Sequence, residues 1–518
     1  MDRESILTSI NHIRDPVVIL RNEGDGTLQL IGKSTADQQV VQASNYTSLP
    51  PIYPEWLGNQ SFTVMHSMRF PYVAGEMARG VSTSTMVCAM AKSGMLGFFG
   101  AAGLPLSQVL AAIQTIKSNL LQSTYPWGIN LIHSPLDPSL ESTLVNLFIE
   151  HDVNRVSASA FMALSTSVVH YACKGLYTNQ QGEIQRRNHI FAKISRLEVA
   201  KHFMSPPPKA ILDQLISQKL ITREEAILAE HIPVSENITV EADSGGHTDN
   251  RPLTSLFPAI QLLRDELVLN FKYPRTIHLG AAGGIGTPNA LASAFALGAS
   301  YVLTGTINQA SLESGLSNSG KTMLHQAGIA DTAMAPSADM FEIGAKVQVL
   351  QRGTLFARRA CLLDRIYRQF DGLDDIPKQL KAKIEKEIFG NSLNEVWITT
   401  SQFFSKTNPS EVAKAEQDAK HKMALIFRWY LGKSSRWPVE GYQQRSLDYQ
   451  IWCGPAMGAF NDWAANSFLS PLENRSVVQI ALNLLEGAAV NTRAQQMRSC
   501  GLSIPASAFN FTPRPLQV

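Results

Sequence analysis

The sequence predicts an α/β protein: a TIM (β/α)8 barrel with an N-terminal β-hairpin element, a helical insertion and a C-terminal α-helical region. Three observations predict it. Eight short apolar runs recur between Tyr72 and Leu303, and helix-period segments separate most of them. Three of these runs lead into glycine: Ile238-Thr239-Val240 into Gly245-Gly246-His247, Thr276-Ile277-His278-Leu279 into the cluster from Gly280 to Gly286, and Tyr301-Val302-Leu303 into Gly305. Past Gly344 strand signals nearly vanish and helical patterns take over. Strand, turn and helix in that order, repeated eight times, is the grammar of a closed parallel barrel.

In chain order, residues 1–60 read as a small β element. The runs Pro16–Leu20 and Leu28–Ile31 flank Gly24-Asp25-Gly26 as a hairpin would, and Pro50, Pro51 and Pro54 mark a loop. The barrel is expected over 61–344. Its strands are Tyr72–Ala74, Leu96–Phe99, Trp127–Leu131, Arg155–Ala158, His189–Lys193, Ile238–Val240, Thr276–Leu279 and Tyr301–Leu303, and Leu106–Gln122 is the clearest helix between them. The interval 205–236 is too long for a turn. It opens on Ser205-Pro206-Pro207-Pro208 and carries two helical stretches, the second behind Thr222 as N-cap, so it reads as a helical insertion near the barrel mouth. Residues 345–518 are expected to be helical, with helices at Lys346–Arg352, Ala357–Phe370, Pro377–Phe389, Pro409–Leu431 and Val477–Met497. The glycine-punctuated run Trp452–Asn461 is expected to be buried against the barrel.

Composition narrows the class. A hydrophobic content of 44% with 17% charged residues in 518 residues fits a soluble globular protein with a large core. A net charge of +2 gives no reason to expect nucleic acid as a partner. Five scattered cysteines without a CxxC pair read as reduced thiols of a cytoplasmic protein and offer no metal site. Neither a signal peptide nor an apolar run long enough for a membrane span is legible, so neither membrane nor export is expected.

The chemistry-bearing residues lie at strand ends. Ala282-Gly283-Gly284-Ile285-Gly286 stands between a strand and a helix, where bulk-free backbone can turn its N–H groups onto a phosphate; a plain tight turn would read the same. Gly305 and Thr306 at the next strand end favour phosphate, because barrels bind it after strands seven and eight. His247, between Gly245-Gly246 and Asp249, reads as a hydrogen-bonding or proton-transferring group above a ring cofactor, or as a structural loop histidine. Gly75 and Met77 follow the first strand, Asn130 sits near the end of the third and Lys193 ends the fifth; each suits contact with a flavin ring and each suits an ordinary structural role. Lys193 would place positive charge by the flavin pyrimidine and stabilise its reduced anion. Lys378, Lys381, Lys383, Lys386, Lys420 and Lys422 give the helical region a basic bias, read as nucleic-acid binding, docking of an acidic partner, or solvated helix faces.

At these residues a resemblance enters. Phe70–Leu104, with Gly94-Met95-Leu96-Gly97-Phe98-Phe99-Gly100, resembles the opening of the nitronate monooxygenase (2-nitropropane dioxygenase-like) flavoproteins, and Gly245-Gly246-His247 and Ala282-Gly283-Gly284 match that superfamily's histidine and FMN phosphate loop. Over nearly the whole length the chain is more similar to the PfaD family, the trans-acting enoyl reductases of polyunsaturated fatty acid and polyketide synthases, most specifically at 241–252, 334–342 and 448–461. The resemblance implies FMN on the barrel, NADPH as reductant and a 2-enoyl thioester carried on acyl carrier protein as substrate. It places cofactor contacts at Gly75, Met77, Asn130, Lys193, Gly283, Gly284, Gly305 and Thr306, with Gly245 and Gly246 beside them, and catalysis at His247 with Asp249 orienting it. The acyl chain would enter between the insertion and the C-terminal helices, and the carrier would dock on Lys378, Lys381, Lys420 and Lys422. A homodimer is compatible with this picture. One departure stands out: nitronate oxidisers commonly carry glycine two residues after the histidine, where this chain has Asp249, which weighs against nitroalkane oxidation. The alternatives are a nitronate monooxygenase-type flavin oxidase and a flavin-free protein that only scaffolds a synthase.

Overall fold

The computed structural model describes residues 3–22, 26–31, 46–121, 124–134 and 137–517. They form two compact units: Met1–Ala242 with Pro252–Ser314 and Asp462–Val518, and Asp243–Arg251 with Gly315–Asn461.

The first unit is built on a closed barrel of eight parallel strands. These are β1 (Tyr72–Ala74), β2 (Leu96–Phe99), β3 (Trp127–Ile132), β4 (Arg155–Ser159), β5 (His189–Ile194), β6 (Asn237–Glu241), β7 (His278–Ala282) and β8 (Tyr301–Thr304). Each pairs with the next, and β8 closes on β1 through Thr304 opposite Ala74. Such strands are buried on both faces, which is why they read as apolar runs. Every residue of β1, β2, β7 and β8 is buried.

The lumen is filled from its lower end, where the strands begin. Helix Gln60–His66, capped by the Asn59 side chain, carries Phe62 against Tyr301, with ring centroids 4.3 Å apart. Gly280 is required here, since a Cβ would lie 2.2 Å from the Tyr301 ring. Two buried phenols are satisfied by threonines: Tyr301 with Thr239 at 2.7 Å, and Tyr72 with Thr304 of the neighbouring strand β8 at 2.6 Å.

The insertion folds as helices Lys209–Ser217 and Arg223–Ala229, the second started by a capping box between Thr222 and Glu225. Its position corrects the expectation of a place near the mouth. The segment follows the helix Leu197–Met204, which has already run back from the top of β5, and it feeds the first residue of β6. It therefore starts and ends at the lower end and packs on the flanking helix Thr166–Cys173. Glu225 accepts from the Gly175 N–H at 2.7 Å, and Glu236, just before β6, is held between Arg186 at 3.2 Å and Arg275 at 2.9 Å.

At the N-terminus, Val17–Arg21 pairs antiparallel with Leu28–Ile31, Leu20 opposite Gln29, as the hairpin predicts; the turn residues Gly24 and Asp25 lie outside the described residues. A third strand, Tyr46–Leu49, joins the other edge, and helix Arg3–Asn11 precedes the sheet. The long helix Val477–Ser499 anchors this element: buried Arg493 donates to the carbonyls of Asp15, Ile13 and Pro50.

The second unit holds a three-stranded antiparallel sheet, Gly246–His247 beside Lys346–Leu350 beside Thr332–Pro336, with helices around it. Lys346–Leu350 is a strand where the sequence predicts helix; Val347, Gln348 and Val349 are all buried and β-branched residues favour the pleat. The stretch Pro409–Leu431 is broken in two, because the Asp418 side chain accepts from the His421 N–H and starts a new helix, Ala419–Ser434. Cys453, Met457 and Phe460 are fully buried, and within this unit the Trp452–Gly454 backbone packs on the Ser244–Gly245 backbone.

Candidate functional site

Two glycine turns close the seventh and eighth strands of the barrel unit. After β7 the chain turns through Gly283 and Gly284, at φ 87° and 71°, a region that glycine alone enters freely, and starts helix Pro288–Ala296 with Thr287 as N-cap. After β8 it turns at Gly305 into a short 3-10 helix beginning at Thr306. A Cβ placed on Gly284 or Gly305 would meet no atom within 4 Å. These glycines therefore face open space rather than packed protein, whereas Gly75, after β1, is forced by packing: a Cβ there would lie 2.4 Å from Leu303. Two adjacent glycine turns, one of them leading into a helix start, are the kind of backbone that can receive a phosphate. The carbonyl of Met77 lies against Gly100, and Asn130 donates to the Ser159 hydroxyl at 2.8 Å and the Ser157 carbonyl at 3.2 Å.

Lys193 is not an isolated positive charge. Its ammonium lies 2.8 Å from Glu241, at the end of β6, and 3.3 Å from Glu76, which follows Gly75. Burial alone would lower its pKa, but the two carboxylates outweigh that and hold it above the ordinary lysine value, so it is charged. Glu76 is the more buried carboxylate, with its side chain 5% exposed against 19% for Glu241. Sequence reasoning singles out neither acid. The available signal is an acidic residue set between the small Gly75 and Met77 at a strand end.

His247 belongs to the second unit, in the short strand paired with Val347. Gly245 before it allows the close approach of the Cys453 backbone, which a Cβ would meet at 2.8 Å, and Gly246 takes φ 85°. The imidazole Nε2 lies 3.1 Å from the Ser337 hydroxyl and 3.3 Å from Asp339, and Ser337 also donates to Asp339. Burial would raise the Asp339 carboxyl, but His247 and Ser337 overcome it and bring it down to about 2. The ring thus stands beside a carboxylate ionised at neutral pH. Asp243 is tied down by Asn250 at 2.8 Å and Gln348 at 2.7 Å, which fixes the loop that carries His247. Ser337 and Asp339 fall within the family-specific stretch 334–342, but nothing local in the sequence marks them as partners of His247.

Comparison with known proteins places this arrangement. Residues 59–362 match the nitronate monooxygenase family. The chain belongs to that family. Residues 370–449, helices of the second unit, match a second model, the inserted helical domain of [acyl-carrier-protein] S-malonyltransferase. Members of similar sequence include a component of the polyunsaturated fatty acid synthase of Thraustochytrium sp., 40% identical over 98% of this chain and 34% of its own length. The polyketide biosynthesis protein PksE of Bacillus subtilis is 40% identical over 92% of this chain and 62% of its own. The chain thus spans between about a third and three-fifths of the length of these two relatives. Among solved structures, the enoyl reductase domain of MlnA, from the macrolactin cluster of Bacillus amyloliquefaciens, matches with a TM-score of 0.82 and 38% identity, covering 86% of this chain and 99% of that one. FabK of Thermotoga maritima, 19% identical with a TM-score of 0.50, shares the fold.

Proposed function

We propose that this chain is an FMN-dependent enoyl reductase that takes its electrons from NADPH and acts in trans on 2-enoyl thioesters carried by acyl carrier protein, in polyunsaturated fatty acid or polyketide biosynthesis. The observation that carries the reading is the likeness to the MlnA enoyl reductase domain over 99% of that domain. The donor set supports a flavin mononucleotide: two adjacent glycine turns open to one phosphate, and no GxGxxG turn for a second nucleotide half.

Gly283, Gly284, Gly305 and Thr306 would hold the phosphate, with Gly75, Met77, Asn130 and Lys193 toward the ring system. A reduced flavin bound there supplies hydride to the β-carbon of the enoyl thioester. The α-carbon then needs a proton and the thioester oxygen needs a hydrogen bond while it carries negative charge; we assign these tasks to His247. Asp339 and Ser337 would position its ring. Asp249, two residues on, is proposed to help orient the same ring, and its presence where nitronate oxidisers commonly carry glycine weighs against that rival.

The helical segment 370–449 is proposed to engage the carrier, in keeping with its match to a domain of a carrier-protein transferase. The lysines expected to dock it, Lys378, Lys381, Lys420 and Lys422, remain candidates, and three of them also have partners within the chain. Lys381 is paired with Asp374 at 3.7 Å, Lys420 bonds the Phe370 carbonyl and Asp371, and Lys422 lies 4.9 Å over Trp397. Lys378, Lys383 and Lys386 are exposed on helix Lys378–Ile384 and the π-helical segment Glu385–Phe389, and are the first to test.

The experiment is an absorbance spectrum of the purified protein, then anaerobic reduction by NADPH and reoxidation by a crotonyl thioester. A colourless protein, or a flavin that NADPH reduces but no enoyl thioester reoxidises, overturns the proposal. The family match keeps one rival in view, oxidation of a nitronate, and oxygen uptake with nitroalkanes would decide for it.

A further inference from the structure

We infer that Glu76 and Glu241 are residues of the cofactor site, and that with Lys193 they form a strut across the barrel mouth whose excess negative charge sets the reduction potential of the bound flavin. The inference rests on the cofactor reading above. Its support is geometric. In the ring of eight strands β5 stands opposite β1, so the contact of Lys193 with Glu76 spans the lumen, while Glu241 comes from the neighbouring β6. All three groups sit at the ends of their strands, the end where the glycine turns lie. Two carboxylates against one ammonium leave one net negative charge.

The second observation concerns Glu76. Neither of its side-chain oxygens accepts a hydrogen bond among the described residues, although both are shut from solvent. Lys193 approaches one oxygen as an ion pair at 3.3 Å and leaves the other alone. A buried carboxylate without donors is costly to keep. Such a group, placed beside Gly75 in a cofactor site, fits a ligand that brings N–H or O–H donors, and a flavin brings both, on its pyrimidine ring and its ribityl chain. A lone lysine would ease reduction by stabilising negative charge on the ring; this lysine, doubly countered, does not.

The test is signed. Glu76→Gln keeps the shape and removes one negative charge, so it should move the oxidised–reduced equilibrium of the bound flavin toward the reduced form by about tenfold, on the order of 30 mV upward for a two-electron couple. Lys193→Met removes the positive charge and should move the potential downward. Glu241→Gln, at the more exposed acid, is the companion variant and should follow Glu76→Gln. Glu76→Asp, which retains charge, should stay near wild type. Melting curves of the flavin-free proteins check that each variant is folded. Opposite shifts for the acid and lysine variants support the inference. Shifts of the same sign, or unmoved potentials in folded flavin-bound variants, overturn it. Wild-type protein that binds no flavin overturns the cofactor reading itself, a result distinct from flavin bound at an unmoved potential.

Discussion

Gly305→Ala separates a glycine kept for a ligand from one kept for the fold. Its φ of −122° lies outside the left-handed region, and an added methyl would meet nothing within 4 Å. The folded protein should therefore accept alanine, with apo-protein melting unchanged or raised by about 1–2 °C through the smaller entropy of the unfolded chain. The methyl would instead occupy the space in which a phosphate meets the backbone N–H groups. Loss of one charge-assisted hydrogen bond costs roughly 1.5–3 kcal/mol, which is about a 10- to 150-fold rise in the FMN dissociation constant. Two other glycines calibrate the result. Gly280→Ala collides with Tyr301 at 2.2 Å and should lower stability whether or not cofactor is present, by about 1–3 kcal/mol. Gly284→Ala places a side chain at φ 71° and should weaken both stability and binding. The assay is fluorescence titration of apo-protein with FMN beside thermal melts of the same preparations. FMN affinity unchanged in Gly305→Ala, or lost only together with stability, refutes the phosphate cradle.

Other outcomes follow from the remaining contacts. His247→Ala should retain flavin and slow its reoxidation by an enoyl thioester by about 10²–10³; loss of flavin would make it a binding residue instead. Asp339→Asn should slow the same step less than His247→Ala, and because the folded carboxyl is held down to about 2, the stability it contributes should be present above about pH 4 and fade as the pH falls toward 2. His66 and His278 are buried at the lower end of the barrel, and burial drops their pKa values to about 3 and about 4. The unfolded chain protonates these rings near pH 6.5, so stability should be full above that value and decline below it, by up to about 1.4 kcal/mol per pH unit for each ring. Urea melts from pH 7 to 4.5 measure this slope, and His66→Phe should flatten it. Charge reversal at Lys378 and Lys383 should raise KM for a carrier-bound enoyl substrate and leave a free thioester unaffected, with the difference shrinking in salt; equal effects on both substrates would remove this face from docking.

Local pattern is enough for the barrel because its strands are buried on both sides. All eight predicted runs fall on observed strands, and the largest displacement is at Thr276–Leu279, where the strand is His278–Ala282. Ala281 and Ala282 carry little β signal, so the apolar run reads two residues early. Lys346–Leu350 fails for the converse reason: its short run Val347-Gln348-Val349 sits among helices, and the neighbours outvote it. The insertion is legible but expected at the wrong end, although chain order settles it, since whatever precedes a barrel strand lies where that strand begins.

The site divides along the same line. The glycine turns are legible because each is a single stretch of chain, whereas the partner of His247 is 90 residues away at Ser337, and no periodicity connects the two. Glu76, Lys193 and Glu241 are three unrelated charges in the sequence until closure of the barrel brings them to one mouth. Yet one clue is present. Lys193 lies in a strand whose other residues from Ile190 to Ile194 are buried. An ammonium cannot be kept charged there without carboxylates beside it. The acids that end or follow neighbouring and opposing strands are the candidates. Applied to the sequence, that demand changes the reading of Lys193 from a free positive charge beside the flavin to the centre of an ion cluster, and it reverses the expected sign of the cluster's effect on reduction.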